Sequence, residues 1–192
     1  NAYPKPQKRI ILDFDATDDP LHGKQEDRFF HGYYGCYCYL PLYVFCDEHL
    51  LCARLRPSDI DAAQGSLDEL KRIVGQIRER WLDVQIIVRG DSGFARDDLM
   101  TWCEDNAVDY IFGLARNPRL VNRIVKQLKK AKKKFWKTNQ AARYYRDFRY
   151  RTLKSWSRTR RVVGKAEQLG KGENPRFVVT SLSKGDFGAR EL

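Results

Sequence analysis

The sequence predicts a mixed α/β fold with a basic segment of β-strands near its C-terminus. Three observations support this: two short apolar runs end in aspartates, a helical period lies between them, and a strongly basic stretch with β-type alternation follows. A chain of 192 residues can bury one core plus a small subdomain. No run reaches the ~20 apolar residues of a membrane span, so a membrane protein is not expected.

The first third of the chain predicts mainly strands. Residues 10–15 read IILDFD, an apolar run typical of a buried strand that ends in carboxylates. Because side chains alternate along a strand, Asp13 and Asp15 share one face of it. Residues 33–39, 43–46 and 51–55 are further strand candidates, and we expect them to form an antiparallel meander.

The middle of the chain alternates between helices and strands. Apolar residues from Leu67 to Trp81 recur at helical spacing and predict a helix of about five turns. Residues 84–89 (VQIIVR) predict a second buried strand, which a Gly-Asp-Ser-Gly turn closes before a helix around 99–107. A strand at 110–114 follows, and Asn117-Pro118 then predicts the start of a helix that continues through Leu128.

Basic residues are concentrated in one segment. Between Arg116 and Lys165 there are 19 lysines and arginines and one acid, while the rest of the chain has an acidic excess. The first part of the segment is explained by a solvated helix face, but in the later part basic and aromatic residues alternate. This pattern, on predicted strands at 144–151, 160–165 and 177–181, favours binding to a polyanion such as nucleic acid.

The cysteine pattern favours free thiols. The chain has five cysteines and no CxxC pair. We therefore expect reduced cysteines in a cytoplasmic protein.

Two aspartates, Asp15 and Asp91, end the two predicted buried strands. Carboxylates that meet at such a sheet edge can bind Mg²⁺ or Mn²⁺ through oxygen, and such ions support phosphodiester chemistry. The alternative is that each aspartate only caps a turn, in which case the chain would be a non-catalytic, basic nucleic-acid-binding module.

The string DFDAT resembles two families. It is similar to the first motif of haloacid-dehalogenase-type phosphatases, which implies Asp13 as a phosphate-attacking nucleophile. The later acidic pair of that family does not match, because Asp97 and Asp98 lie one or two positions too far from Gly90-Asp91.

A broader resemblance is to DDE transposases of bacterial insertion sequences, and it spans nearly the whole chain. Its motifs here are DFDAT, then His22-Gly23-Lys24-Gln25-Glu26, Pro41-Leu42 and Arg89-Gly90-Asp91-Ser92-Gly93-Phe94. The resemblance implies a ribonuclease-H-like mixed sheet flanked by helices, with a basic β-strand insertion near the C-terminus. In such a sheet the first and fourth strands are neighbours.

The resemblance also implies a chemistry. Asp15 and Asp91 would be catalytic, metal-binding residues, and Asp13 would support them or replace Asp15 as the ligand. With Mg²⁺ or Mn²⁺ the parent protein would cleave double-stranded DNA at transposon ends and join 3′-hydroxyls to target DNA. A homodimer on DNA in the bacterial cytoplasm, associated with the nucleoid, is expected by analogy.

The third acid of the family, a glutamate in a Y-x₂-R-x₃-E pattern, has no match in the sequence. We expect it beyond residue 192, in which case the chain is a central fragment that would be inactive by itself. The expected division is a core at 1–115, a basic helix and β-strand insertion at 116–182, and the start of a C-terminal core helix at 183–192.

Further side chains are expected to contact DNA. Candidate phosphate contacts near the carboxylates are His22, Arg89 and Arg96, with surface ion pairs as the alternative for the two arginines. The candidate DNA-binding residues of the basic insertion are Arg151, Lys154, Trp156, Arg158, Arg160, Arg161 and Lys165.

Overall fold

The structure is a computed structural model that describes residue 5 and residues 7–192. The chain divides into two compact units, Asn1–Asp109 (unit 1) and Tyr110–Leu192 (unit 2). No helix among the described residues is long and apolar enough to cross a membrane. All five cysteines have free thiols.

Unit 1 combines strands with two α-helices and a short 3-10 helix. Its described elements, in chain order, are β1 (Arg9–Ala16), β2 (Asp19–Pro20), β3 (Phe29–His31), β4 (Cys36–Tyr39), β5 (Leu42–Cys46), β6 (His49–Arg54), α1 (Ser66–Arg80), β7 (Gln85–Gly90), the 3-10 helix (Ser92–Phe94) and α2 (Asp97–Asp105).

The main sheet of unit 1 has β1 at its centre. Strand β1 pairs in parallel with β7 on one side and antiparallel with β5 on the other, and β6 extends the sheet beyond β5. The alternation in IILDF buries Leu12 and Phe14 on one face of β1. This confirms the predicted mixed α/β class and the neighbour relation between the first and fourth strands of the sheet.

The predicted helix is confirmed as α1. It begins and ends one residue earlier than the apolar pattern, which runs from Leu67 to Trp81. Leu70, Ile73 and Val74 form its buried stripe, spaced as one face of a helix. Two acids in its first turn and two arginines in its last turn match the helix dipole.

The predicted meander is wrong between residues 33 and 39. Only Cys36–Tyr39 is a strand, and it pairs with β2 and β3 in a separate three-stranded sheet. Before it, the Gly35 N–H donates to His31 O at 2.8 Å, and Gly35 has a φ of 69°. Glycine tolerates this left-handed conformation, so the chain turns where an uninterrupted strand was expected.

Unit 2 begins with a strand, continues with two helices and ends with strands. Its described elements are β8 (Asp109–Leu114), which starts at the unit boundary, α3 (Pro118–Arg123), α4 (Val125–Thr138), β9 (Ala142–Tyr150), β10 (Arg160–Leu169), β11 (Gly172–Glu173) and β12 (Arg176–Thr180). Residues 183–192 form turns rather than a helix.

Strand β10 organises the sheet of unit 2. It pairs antiparallel with β9, β11 and β12, and β12 pairs antiparallel with β8. The single helix predicted after Asn117 is interrupted at the buried Ile124, whose φ of −114° and ψ of 12° are not helical. Beyond it, α4 packs against β9 and β10 through Leu128 and Ala131, and its lysines face solvent.

Candidate metal centre and basic surface

Asp15 and Asp91 lie at the same end of two neighbouring parallel strands. The register pairs Asp13 with Arg89 and Phe14 with Gly90, so the next residues are Asp15 in β1 and Asp91 directly after the end of β7. Neighbouring strands run about 4.8 Å apart. Both aspartates are exposed. The two residues that the sequence predicted as the metal-binding pair therefore lie side by side at one sheet edge.

Packing around a glycine holds the backbone that carries Asp91. A Cβ on Gly90 would lie 2.8 Å from Cδ2 of Phe94, so only glycine fits against this ring. Phe94 is buried and contacts Phe14 edge-on, with 5.9 Å between ring centroids. Asp91, which lies between Gly90 and Phe94 in sequence, caps the 3-10 helix, and its Oδ1 accepts a hydrogen bond from the Gly93 N–H at 2.7 Å. The Gly-Asp-Ser-Gly-Phe motif thus fixes the position of one carboxylate.

Tyr34 lies near the end of β1, where the charges of nearby aspartates affect its hydroxyl. Burial raises its pKa most, and the negative charges of Asp18, Asp91 and Asp15 raise it further, together with Tyr33. Its hydroxyl donates to Ala16 O at 3.4 Å, at the end of β1. Sequence reasoning missed this residue, because nothing in the aromatic run around it distinguishes Tyr34 from its neighbours.

Asp13 makes a different interaction from Asp15. Its Oδ1 and Oδ2 accept hydrogen bonds from Nε and Nη2 of Arg89, both at 2.6 Å. The hydrogen bond with Asp13 is the main cause that raises the pKa of Arg89. Among the described residues Asp15 makes no ion pair, so of the two aspartates on this face it has the carboxylate open to a ligand. An attacking nucleophile at Asp13 would first have to break the Arg89 pair.

Arg96 and His22 are the other two candidate phosphate contacts. Arg96 forms an ion pair with Asp61, with 2.6 Å between Nη2 and Oδ2. Burial opposes ionisation of Asp61, but the hydrogen bonds from Arg96 and from the Ala63 N–H outweigh it and lower its pKa. His22 is exposed between β2 and β3. Both predicted arginines are thus engaged by acids, and the phosphate role of all three residues stays a prediction.

The donor chemistry of the aspartate pair fits a hard divalent cation. Mg²⁺ and Mn²⁺ prefer oxygen ligands, and Mg²⁺ keeps several waters when a protein supplies only one or two carboxylates. Asp15 and the Oδ2 atom of Asp91 are the oxygens available for this. No group of three or more His, Cys, Asp or Glu residues with metal-binding geometry occurs in the part of the chain that the structure describes.

Three of the predicted DNA-binding residues need correction. Trp156, Arg160 and Arg161 are buried. Arg161 donates to Asp147 Oδ2 at 2.7 Å and to the backbone oxygens of Leu182 and Phe187, so its charge is satisfied inside unit 2. The alternation of basic and aromatic residues here builds part of the core, and these residues present no surface to DNA.

The remaining predicted contacts are more accessible. Arg151, Lys154 and Arg158 are exposed. Lys165 is half-buried, and its Nζ lies 3.6 Å from Glu167 Oε2. A DNA-binding role for these four residues stays a prediction.

Comparison with known proteins identifies one matching family. The family model described as "Transposase DDE domain group 1" matches residues 1–192. Among solved structures, the chain is similar to the cryo-EM structure of a piggyBac transposase synaptic complex with hairpin DNA, with a TM-score of 0.47 and 12% identity. This match covers 93% of the chain and 34% of the piggyBac chain, so the chain spans about a third of that protein. No curated protein sequence matches significantly.

Proposed function

The chain belongs to the transposase DDE domain group 1 family, and on that premise we propose that Asp15 and Asp91 bind the divalent metal of a site that cleaves DNA and joins 3′-hydroxyls to target DNA. The observation that carries the proposal is the parallel pairing of β1 with β7, which brings the two aspartates to one sheet edge. Two exposed carboxylates at adjacent strand ends have few structural uses other than capping, and Asp15 caps no helix among the described elements.

Each side chain at this edge has a distinct role in the proposed chemistry. A bound divalent ion would activate a water or a 3′-hydroxyl and stabilise the leaving oxygen. Asp15 contributes a carboxylate that makes no ion pair with any residue the structure describes. The Gly93 N–H orients Asp91 through Oδ1 and leaves Oδ2 for the metal. The Asp13–Arg89 pair joins β1 to β7 two residues before the two ligands. Tyr34 donates its hydroxyl hydrogen to Ala16 O at the end of the strand that carries Asp15.

The proposal extends to cofactor, partners and location. Oxygen-only ligands support Mg²⁺ or Mn²⁺ as the ion, and the basic excess between Arg116 and Lys165 supports double-stranded DNA, at transposon ends and at a target, as the partner. Because a transposon has two ends to be cut and joined, we propose a homodimer on DNA. We further propose that the parent is a bacterial insertion-sequence protein of the nucleoid-containing cytoplasm, which its free thiols support.

Isosteric neutralisation of the two aspartates tests the proposal. Asp15→Asn and Asp91→Asn should each lower metal-dependent DNA cleavage by the protein that carries this chain at least about 100-fold, because a lost ligand removes metal and transition-state stabilisation together. The matched control is Asp27→Asn, since Asp27 is exposed and has a φ of 54° that asparagine also tolerates. It should cleave normally.

Two other results would contradict the proposal, and each would favour a different function. If DNA binds equally well with and without metal in all variants and no cleavage is found, the chain is a non-catalytic nucleic-acid-binding module. If small phosphate esters are hydrolysed and Asp13→Asn stops this, the phosphatase interpretation is correct.

Direct metal binding provides a second readout that does not depend on activity. Mn²⁺ added to isotope-labelled chain should broaden amide signals around both Asp15 and Asp91. In Asp15→Asn the broadening should weaken at both places, because one site serves both residues. Broadening at only one aspartate would contradict a shared metal centre.

A further inference from the structure

Unit 2 contains a cleft lined by arginines that is separate from the residues predicted to bind DNA, apart from Arg151. The cleft has a volume of about 530 Å³. We name it the arginine cleft and define it by Arg119, Arg123, Arg149 and Arg151, with Asn122 and Thr159 also on its wall. All four arginines are exposed.

Helix α3 and strand β9 hold these arginines in place. Arg119 and Arg123 lie four residues apart on α3 and therefore share a face. Their Nη2 atoms donate to the backbone oxygens of Arg151 at 3.4 Å and of Arg149 at 3.3 Å, respectively. The guanidinium carbons also lie over aromatic rings of β9, that of Arg119 at 5.2 Å from the Tyr150 centroid and that of Arg123 at 5.6 Å from the Phe148 centroid.

The strand side of the cleft is anchored in the same way. Arg149 Nη2 donates to Thr159 O at 2.6 Å, and Arg151 Nε donates to Trp156 O at 3.0 Å. Each of the four guanidiniums thus donates one hydrogen bond to a backbone oxygen of its own unit. Because a guanidinium carries five N–H groups, most donors remain for a ligand.

None of the described residues that line the cleft is acidic, and the acids of β9 and β10 are engaged elsewhere. Asp147 accepts two hydrogen bonds from Arg161, and Glu167 is paired with Arg143. Four like charges around one cleft repel each other, and cations at the i, i+4 positions destabilise a helix. Neutral carbonyl partners orient these side chains without cancelling their charge, so the cleft is organised to receive an anion.

We propose that the arginine cleft binds backbone phosphates of duplex DNA. A planar guanidinium matches a phosphate bidentately, which distinguishes a site made of fixed arginines from the flexible lysines of α4. Asn122 and Thr159 add polar groups beside the same anion. The assignment of DNA as the source of the phosphates rests on the proposed function, whereas the anion chemistry of the cleft does not.

The test is duplex DNA binding by the full chain, measured with chelator present and in the Asp15→Asn background. Under these conditions neither metal nor cleavage contributes, so failure of the proposed chemistry would not affect the result. The test variant is Arg119→Gln with Arg123→Gln. The matched control is Lys132→Gln with Lys133→Gln, which removes the same charge from exposed positions on α4 of the same unit.

The arginine double variant should lose between about 10- and 100-fold in affinity for duplex DNA at 0.1 M salt. The magnitude of the slope of log K against log salt concentration should fall by about 2, which is about one unit for each phosphate contact that is lost. The lysine control should lose less than about threefold. Equal losses in both double variants, or unchanged binding in the arginine variant, would overturn the proposal.

A folding control keeps the test decisive. Thermal unfolding should show that both double variants are folded at the temperature of the binding assay, because all four substituted side chains are exposed. If the α3 variant unfolds, the single variant Arg149→Gln on the strand side replaces it. Its affinity should then fall between about 3- and 10-fold, with a slope change of about 1, and an unchanged affinity would again overturn the proposal.

Discussion

Asp13 on β1 and Arg89 on β7 face each other across two parallel strands and form a bidentate ion pair, with both N···O distances at 2.6 Å. The pair lies two residues before Asp15 and Asp91 in each strand. It removes Asp13 from the set of open carboxylates and joins the two strands directly beneath the proposed metal ligands. The question of which aspartate in DFDAT binds metal therefore has a structural answer that can be tested.

Asp13→Asn should reduce cleavage less than Asp15→Asn does. The substitution leaves both proposed ligands in place and weakens only the Arg89 pair, whose side chains are 50% and 37% exposed. At this exposure the lost free energy of unfolding is about 0.5–1.5 kcal/mol. Parallel measurements of urea unfolding and of cleavage rate check the prediction. A loss of cleavage as complete as in Asp15→Asn would mean that Asp13 is a ligand.

Gly90→Ala should lower both stability and cleavage. The new methyl group would lie 2.8 Å from the Phe94 ring, so the ring or the backbone that carries Asp91 must move. We expect a loss of about 1–3 kcal/mol in the free energy of unfolding. Gly75→Ala on α1 is the control, because apart from its chain neighbours and the adjacent backbone of its own helix no described atom lies within 4 Å of its Cβ position. Equal stability of the two variants would show that the packing against Phe94 is not restrictive.

Trp156→Ala should act on stability before it acts on DNA binding. Trp156 is 3% exposed and contacts Tyr150 edge-on at 5.9 Å, so its removal leaves a cavity costing about 3–5 kcal/mol. Thermal unfolding and DNA affinity should be measured on the same protein, at a temperature where the variant is folded. A normal melting temperature together with weak DNA binding would restore the original prediction for this residue.

Cys103 should make the free energy of unfolding depend on pH in the alkaline range. Burial raises the pKa of Cys103 to about 12 from the ordinary value of 9.0. Between these values the unfolded chain has lost the thiol proton and the folded chain still holds it. The free energy of unfolding therefore falls as pH rises, by up to about 1.4 kcal/mol per pH unit.

Urea unfolding of the unmodified chain and of Cys103→Ala, between pH 8 and 10.5, checks this. Other groups titrate in the same range, so the relevant quantity is the difference between the two slopes. The alanine variant should show the shallower slope above pH 9. Parallel curves would show that the Cys103 thiol titrates normally in the folded protein.

The periodic parts of the sequence predicted the fold well, for a physical reason. In β1 and α1 one face is buried and the other is not, so the hydrophobic period specifies both the element and its side. In β7 the consecutive residues Ile86, Ile87 and Val88 are all buried, and the short apolar run itself predicts the strand. The positions of Asp15 and Asp91 at strand ends followed from their apolar runs, and the expectation that the two strands are neighbours followed from the family resemblance. Ile124 shows the limit of this reasoning: the apolar period continues through it, but the helix does not.

The basic insertion was harder to interpret from sequence. A strand with alternating basic and aromatic residues has the same pattern whether its aromatic face meets a base or a hydrophobic core. Trp156 and Arg161 are buried because unit 2 supplies Tyr150, Asp147 and backbone oxygens to receive them, and these are tertiary partners that the pattern does not contain. The sequence likewise predicts only a general excess of positive charge that includes Arg119 and Arg123, because the pattern does not contain their tertiary partners.

The parallel pairing of β1 with β7 also determines when the site can exist during synthesis and folding. Asp13 and Arg89, and likewise Asp15 and Asp91, are 76 positions apart. Closing so long a loop is a slow step that precedes any gain from the pairing, and β1 leaves the ribosome well before β7. A nascent or partly unfolded chain thus holds only one of the two carboxylates in place. The proposed pair of metal ligands is therefore complete only after the main sheet of unit 1 has formed.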